Sequence, residues 1–449
     1  MIEIKNKKIS VIGAVRSGVS AAKLIKKLNG IPFVSDLSDE GKLKESVTEL
    51  KREKIKYETG KHTDRVYDCD VMVVSPGVPL DSPVVVKAKE KGIKLISEVE
   101  LAYQNCKGKV IAITGTNGKT TTTSLCGHVF NHCGYNAFTA GNIGVAFSEI
   151  ALDVKENEIV ALEVSSFQLD LIDEFKPKVA MILNITPDHL NRYENSFDMY
   201  AESKQNIYKN QDANDFLILN KDNGEVIKYL KDHKSKSFYF SLSEEVENGC
   251  FKEDNRIHFR KNNADKFLCR ASDVKIKGEH NLSNAMAVIC AAKIFNLDNE
   301  KIIKSLQTFE GVEHRLELVR EIDGVKFVND SKATNVDSVW HALRSFDEPV
   351  FLILGGQDKG NDYSQIKNLV ITKVKKIYAI GSSAEKIFNF FHKDVKVEIK
   401  ESFDAVLASA VNEAREGDVV LLSPACASFD MFDNYEHRGQ AFKEAVNSL

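Results

Sequence analysis

The stretch from Lys109 to Ser124, Lys-Val-Ile-Ala-Ile-Thr-Gly-Thr-Asn-Gly-Lys-Thr-Thr-Thr-Thr-Ser, limits what this chain can fold into more than any other. Residues 110–113 are apolar and mostly β-branched, the composition of a strand buried in a parallel sheet. From Thr120 onward Leu125, Val129 and Phe130 return at helical spacing. Between strand and helix lies the loop Gly115-Thr116-Asn117-Gly118-Lys119-Thr120. Two glycines let such a loop turn its N–H groups onto phosphate oxygens, the helix N-terminus adds partial positive charge, and Lys119 reaches the outer phosphates. Thr120 would place its hydroxyl on Mg²⁺. The full pattern G-x-x-x-x-G-K-[ST] needs glycine at position 113, where the chain has Ile113, so only a shortened form is present. A plain glycine turn before a helix is the alternative, and the combination of strand, Gly-Lys-Thr and helix favours nucleotide binding over it.

With 449 residues the chain has room for about three domains. A hydrophobic content of 43% and a charged content of 28% are those of a soluble globular protein. No apolar run approaches the ~18 residues of a membrane span. Met1-Ile-Glu-Ile-Lys-Asn-Lys-Lys8 lacks the apolar core of a signal peptide, so a cytoplasmic location is expected. The eight cysteines are scattered without C-x-x-C pairs and are expected to be reduced thiols. A net charge of −4 gives no pull toward nucleic acid.

The first hundred residues alternate strand and helix in a doubly wound α/β pattern. Their first turn, Gly13-Ala-Val-Arg-Ser-Gly18, resembles a dinucleotide fingerprint, but Val15 replaces the glycine that lets a pyrophosphate approach, which disfavours NAD. Asp36, ending the second strand, suits a ribose or other polar ligand group, or equally a turn cap. Ser75-Pro-Gly-Val-Pro79 ends another strand at the edge where open sheets bind ligands. Residues 97–109 read as polar and helical, and the first boundary is expected there. Further on, strands over 159–164 and 179–185 end at Glu163 and just before His189, with Gly141-Asn-Ile-Gly144 between the phosphate helix and the first of them. An acid and a histidine at neighbouring strand tips suit a metal-bound phosphate, although each alone is more often structural. Lys204 lies on a following helix, where alone it would be a surface lysine. Residues 221–277 read as short strands and polar turns. Asn281 and Asn284, three apart at the start of a long apolar helix, suit the edge of a purine, or Asn281 caps the helix. After Gly311 a further α/β unit follows, whose strands end at Asp330, Gly355 and Ser423. Arg315 and Lys332 supply fixed positive charge for a phosphate or a carboxylate, or for surface ion pairs.

These residues resemble the Mur ligases of peptidoglycan synthesis over nearly the whole chain. The family features are Gly115-Thr-Asn-Gly-Lys-Thr120, Gly141-Asn-Ile-Gly144, Glu163, His189, Lys204, the segment from His280 to Asn284 and Arg315. Ser75-Pro-Gly-Val-Pro79, Ser165-Ser-Phe-Gln168, Asn329-Asp-Ser-Lys-Ala-Thr-Asn335 and Leu422-Ser-Pro-Ala-Cys-Ala-Ser428 suggest the D-glutamate branch. The resemblance implies three domains: a Rossmann-like UDP-binding domain over 1–97, a P-loop-type ATPase domain with a mostly parallel sheet over 98–311, and a Rossmann-like amino-acid-binding domain over 312–449. It implies an ATP-dependent ligase that adds D-glutamate to UDP-N-acetylmuramoyl-L-alanine through an acyl phosphate, acting as a monomer on small molecules alone. A sibling Mur ligase or a folylpolyglutamate-type ligase is the alternative.

The same resemblance distributes the residues. Gly115, Thr116, Asn117, Gly118, Lys119, Thr120 and Thr121 would hold ATP together with Asn281, Asn284, Arg315 and Asp330. Thr120 and Glu163 would bind one Mg²⁺, and His189 and an N6-carboxylated Lys204 a second. Lys119, Glu163, His189 and Lys204 would be the catalytic groups. Arg16, Ser17, Asp36, Ser75, Pro76, Gly77 and Asn142 would take the UDP-sugar, and Lys332, Thr334, Lys359, Ser428 and Tyr435 the D-glutamate. Asn191 stands where the family usually has Asp, and Tyr435 where related enzymes often have Phe.

Overall fold

The computed structural model describes residues 2–142, 144–262 and 264–449, the side chain of Asp265 excepted. Ile143 of the Gly141–Gly144 loop therefore lies outside the described residues. The architecture is α/β with three mostly parallel sheets, as the alternation of apolar runs and helical patterns predicts. The first sheet contains β1 (Lys8–Ile12), β2 (Ile31–Asp36), β3 (Lys56–Thr59), β4 (Val71–Val74) and β5 (Lys94–Ser97) in the order β3-β2-β1-β4-β5, all parallel. The strand order reverses direction between β1 and β4, so the loops after them flank the crevice that such sheets use for ligands.

The second sheet has nine strands: β6 (Lys109–Thr114), β7 (Ala137–Gly141), β8 (Ile159–Glu163), β9 (Val179–Ile182), β10 (Phe216–Asn220), β11 (Lys236–Ser241), β12 (Gly249–Glu253), β13 (Arg256–Lys261) and β14 (Ala264–Arg270). Their order is β14-β13-β12-β11-β10-β9-β6-β8-β7. β6 is flanked by β9 and β8, with Ile113 opposite Glu163 and Thr114 opposite Ile182. The phosphate loop, Glu163 and the chain leading to His189 thus leave the sheet at one edge. The polar region 221–277 supplies β11 to β14, of which the last three form an antiparallel meander.

The third sheet holds β15 (Glu317–Ile322), β16 (Val325–Asn329), β17 (Val350–Gly355), β18 (Val374–Ile380), β19 (Lys396–Ile399) and β20 (Val419–Leu422), ordered β15-β16-β20-β17-β18-β19. Only β15 runs antiparallel. Two apolar clusters, one around Leu352 and Leu421 and the other around Ile353 and Val420, cover its two faces.

Packing separates two compact units. The first runs to Val274 and includes Ser283–Phe309, with the first two sheets sharing one core in which Val11 and Val73 join Val110 and Leu162. The second comprises Lys275–Leu282 and Glu310–Leu449 with the third sheet. Among the described residues no helix is long and apolar enough to cross a membrane. All eight cysteines are free thiols.

The expectation of a polar helix over 97–109 needs correcting. The helix is Glu98–Tyr103, and its first five residues are buried. Its acids point inward: Glu100 accepts the backbone N–H groups of Asp173, Glu174 and Phe175 at 2.8–2.9 Å, and Glu98 accepts that of Ser148 at 2.6 Å. Carboxylates that satisfy several backbone donors can be buried where a pattern of charge suggests a wet surface.

Candidate active site

The loop after β6 is built as the glycines require. Gly118 has φ +81°, a left-handed conformation, and a Cβ there would stand 2.5 Å from Asn284 Oδ1, so both backbone and space demand glycine. The helix Lys119–His132 starts immediately after it. The loop is held from outside. Asn117 N donates to Asn184 Oδ1 at 2.8 Å, and Asn184 Nδ2 donates back to Asn117 O at 3.0 Å. Thr116 Oγ1 donates to Thr186 O at 2.9 Å and lies 3.0 Å from the Tyr200 hydroxyl. Lys119 Nζ folds over the loop to Gly115 O at 2.9 Å and Thr116 O at 2.6 Å. Thr120 and Thr121, in the first helical turn, are buried.

Lys204 sits on the helix Phe197–Gln205 and is only 2% exposed, not the surface residue its type suggests. Its Nζ donates to the same Gly115 carbonyl, at 2.9 Å. Burial and the neighbouring Lys119 cation hold its pKa well below that of an ordinary lysine, against the weaker pull of Asp188, Asp170 and Glu163. Glu163 is also buried. Its Oε1 accepts from Asn142 Nδ2 at 3.2 Å, while its Oε2 has no hydrogen-bond partner. A buried carboxylate oxygen left unpaired suits a cation. Lys204 as it stands is a donor, and a hard cation would need the oxygens of a carboxylated amine. His189 has φ +52°, a half-exposed ring, and its Nε2 3.7 Å from Asp188 Oδ2. Phe167 meets that ring edge-on, with centroids 6.1 Å apart.

At the edge of the first sheet, Asp36 proves to organise the backbone: Oδ2 accepts from Ala14 N and Oδ1 from Ser38 N, both at 2.7 Å. Ser75 Oγ donates to Gly13 O at 3.3 Å, which joins the loops after β1 and β4. Arg16 and Ser17 begin the helix Arg16–Lys27, and Arg16 Nη2 reaches Asn142 O at 3.3 Å. Pro76 and Gly77 turn their carbonyls to Arg192.

Asn281, Arg315 and Asp330 belong to the second unit, Asn284 to the first. The helix that carries both asparagines is Glu279–Ile294, so Asn281 lies inside its first turn and is no cap; its Nδ2 donates to Lys277 O at 2.7 Å. Asp330 is fully buried at the end of β16. It accepts from Ser423 Oγ at 2.9 Å and Leu316 N at 3.3 Å, with Arg315 Nη1 at 3.8 Å. Burial pushes its carboxyl up to about 6 despite that guanidinium. Lys332 Nζ lies 3.1 Å from the Tyr435 hydroxyl. Thr334 follows in the same loop, and Ser428 is buried in the loop after β20. Lys359 stands exposed in the loop after β17, which Gly355 N and Gln357 N fasten to Pro424 O and Ala427 O, each at 2.9 Å. These three loops leave adjacent strands at one sheet edge. Glu313, His314 and Glu317 also cluster, but Lys443 Nζ holds both carboxylates at 2.6 Å.

Sequence reasoning missed Asn184, Tyr200, Arg192 and Arg438. Tyr200 carried a signal, since it precedes Lys204 by one helical turn. Arg438, buried, donates to Ser331 O at 2.7 Å, Ser331 Oγ at 2.9 Å and Cys426 O at 3.0 Å, tying together the loops after β16 and β20. No motif announces it, because its partners include main-chain carbonyls.

Residues 113–292 match the profile of the Mur ligase middle domain, 314–426 that of the Mur ligase glutamate ligase domain, and 8–84 that of the MurD N-terminal domain. The chain belongs to the Mur ligase family. Within that family it is similar over its full length to the UDP-N-acetylmuramoylalanine--D-glutamate ligase of Salinibacter ruber, with 42% identity covering 100% of this chain and 99% of the relative. Its fold resembles the crystal structure of UDP-N-acetylmuramate-alanine ligase from Thermotoga maritima, with a TM-score of 0.62 and 19% identity over 98% of this chain and 99% of that one. It also resembles the MurF ligase from Thermotoga maritima in complex with ADP, with a TM-score of 0.58 and 18% identity over 84% and 96% of the two chains.

Proposed function

We propose that this protein is an ATP-dependent ligase that joins D-glutamate to UDP-N-acetylmuramoyl-L-alanine in peptidoglycan precursor synthesis, working as a cytoplasmic monomer. The observation that carries the reading is the full-length similarity to D-glutamate ligases, together with a phosphate loop that takes a buried lysine and follows a strand paired with the one ending in a buried, unpaired carboxylate. The functional domains are 1–97 for the UDP-sugar, 98–311 for ATP and 312–449 for D-glutamate.

The terminal carboxylate of the L-alanine attacks the γ-phosphorus of ATP. A carboxylate oxygen–phosphorus bond forms, the bond to the β-phosphate oxygen breaks, and ADP leaves. The free amine of D-glutamate then attacks the acyl carbon, the bond to the phosphate oxygen breaks, and as the nitrogen gives up a proton, which leaves with the phosphate or to solvent, an amide and inorganic phosphate result. Lys119 and residues 115–121, through the N–H groups that open the helix after Gly118, bind the triphosphate, offsetting the repulsion between two anions. Thr120 and Glu163 hold one Mg²⁺ and His189 and carboxylated Lys204 the other; bound there, the two ions supply charge stabilisation for phosphoryl transfer. Lys204 becomes a ligand when its neutral amine bonds the carbon of CO2 and releases a proton, a step its lowered pKa favours. Asn281 and Asn284 read adenine, with Arg315 and Asp330 also at the nucleotide. Arg16, Ser17, Asp36, Ser75, Pro76, Gly77 and Asn142 frame the UDP-sugar. Lys332, Thr334, Lys359, Ser428 and Tyr435 enclose D-glutamate.

Phosphate release from ATP, measured with UDP-N-acetylmuramoyl-L-alanine and one amino acid at a time, tests this. Release is expected with D-glutamate alone. Release with L-alanine, a diamino acid or a folate acceptor would assign a sibling activity, and turnover indifferent to every amino acid would overturn the ligase reading.

A further inference from the structure

Arg192 ends the short turn Leu190–Arg192, three residues beyond His189. Its Nη1 donates to Pro76 O and its Nη2 to Gly77 O, both at 2.7 Å. Its guanidinium also lies over the Phe167 ring, 4.5 Å from the centroid, and the same ring stands edge-on to His189. One side chain therefore joins three segments: the turn after β4, the segment after β8, and the His189 turn after β9.

The geometry is that of a planar fork on two consecutive carbonyls, which fixes both the distance and the rotation of the turn it grips. The other side of that turn is fastened to the first sheet, through Ser75 N to Ile12 O at 2.9 Å and Ser75 Oγ to Gly13 O at 3.3 Å. The turn cannot shift against His189 without breaking the Arg192 bonds. Asp36 and Arg16 serve the neighbouring loops, whereas Arg192 ties the carbonyls of residues 76 and 77 directly to the segment after β9.

We propose that Arg192 is a positioning residue for the ligation. It holds the turn at residues 75–77, and the nucleotide-sugar seated on it, at the distance from His189 and Glu163 that phosphoryl transfer requires. The inference rests on reading that turn as part of the UDP-sugar site. Arg192 need touch no reacting atom, because misplacing a reactant by an ångström is enough to slow a reaction by about 100-fold.

The test uses Arg192→Met, which keeps an apolar stem over Phe167 but loses both donors, beside Arg192→Lys, which keeps one charged donor. Arg192→Met is expected to raise the KM for UDP-N-acetylmuramoyl-L-alanine and lower kcat, by about 10- to 100-fold together. The KM for ATP should stay within about twofold, and Arg192→Lys should recover part of the loss. An equal rise in the KM of every substrate, or none for the UDP-sugar, would overturn the proposal. Hydrogen exchange reads the strap independently of activity. Arg192→Met should speed exchange at the amide of Val78, which donates to Ser75 O at 3.0 Å, and leave the helix Lys119–His132 unchanged. Unchanged exchange at that turn sinks the strap even in an active ligase. A wild type without ligase activity but with the expected exchange response sinks the functional reading alone. If Arg192→Met does not fold, Arg192→Lys is judged by the same two measurements.

Discussion

Two lysines in this protein are equally hidden, Lys204 near the phosphate loop and Lys376 in β18, each 2% exposed. Their surroundings push them in opposite directions. Lys376 reaches the rim of the third sheet between Glu398 and Glu413, and these carboxylates outweigh burial and raise its pKa. Lys204 meets a backbone carbonyl and a second cation, Lys119, and its pKa falls well below the ordinary value. Burial alone does not assign a role. A hidden ammonium clasped by acids is a fastener, whereas one denied a close counter-charge is biased toward the neutral amine and its chemistry.

Lys204 carries the largest expected effect. Lys204→Arg keeps a cation of similar length but has no amine to carboxylate, and is expected to lower kcat by about 10³-fold. Added bicarbonate should restore nothing, while the thermal midpoint shows that the fold persists. Near-normal turnover would place Lys204 in the same class as Lys376. Next in size is Glu163→Gln, which replaces the unpaired Oε2 with an amide. A loss of about 10²-fold is expected, with a higher Mg²⁺ concentration needed for half-maximal rate. A variant with unchanged Mg²⁺ dependence would mean that the orphan oxygen holds no cation.

The phosphate loop was legible because a β-branched run, two glycines and a helical pattern each act locally, within about fifteen residues. The strand tips at Glu163 and Asp330 were legible for the same reason, since an apolar run ends where its polar residue begins. Lys204 was legible only through the family resemblance, because nothing local distinguishes a lysine that will be covered by another strand's loop. Arg192 and Arg438 were invisible for a related reason: they grip mostly main-chain carbonyls, and the segments they tie lie far apart in the sequence. Asp36 was half legible. Its place at the end of β2 was right, and the structure gives both its oxygens to backbone donors, the turn-cap reading.

Asp330 is a buried acid to set beside these lysines, with a stability effect that pH reveals. Its carboxyl sits at about 6 in the folded protein against 3.8 for an ordinary aspartate. A raised carboxyl binds its proton more tightly when folded. The penalty for ionising it is therefore present above about pH 6 and is relieved as pH falls toward 4. About two units correspond to ~3 kcal/mol. Asp330→Asn abolishes that dependence, so the stability of the variant relative to wild type should shift by ~2 kcal/mol in its favour between pH 4 and pH 7. Urea unfolding at both pH values measures it. Parallel profiles would mean that Arg315 and Ser423 neutralise the burial outright.

The smallest effect belongs to Lys376→Met, which fills the same volume and removes the cation from between two acids. Those acids are 38% and 35% exposed and can rehydrate, so the cost is closer to that of a surface network than of a severed buried pair, ~1 kcal/mol. Its pH dependence has a definite sign. Glu398 is held down to about 2, first by Lys376 and then by Lys400. A depressed carboxyl stabilises the fold above the ordinary value of 4.5 and loses that contribution as pH falls through about 2. The gap between variant and wild type should thus be widest near neutrality and close in strong acid, with turnover per folded molecule unchanged. A Lys376 variant that kept its thermal midpoint but lost turnover would mean that the carboxylate clasp is no fastener, and that hidden lysines in this fold must be told apart by something other than their counter-charges.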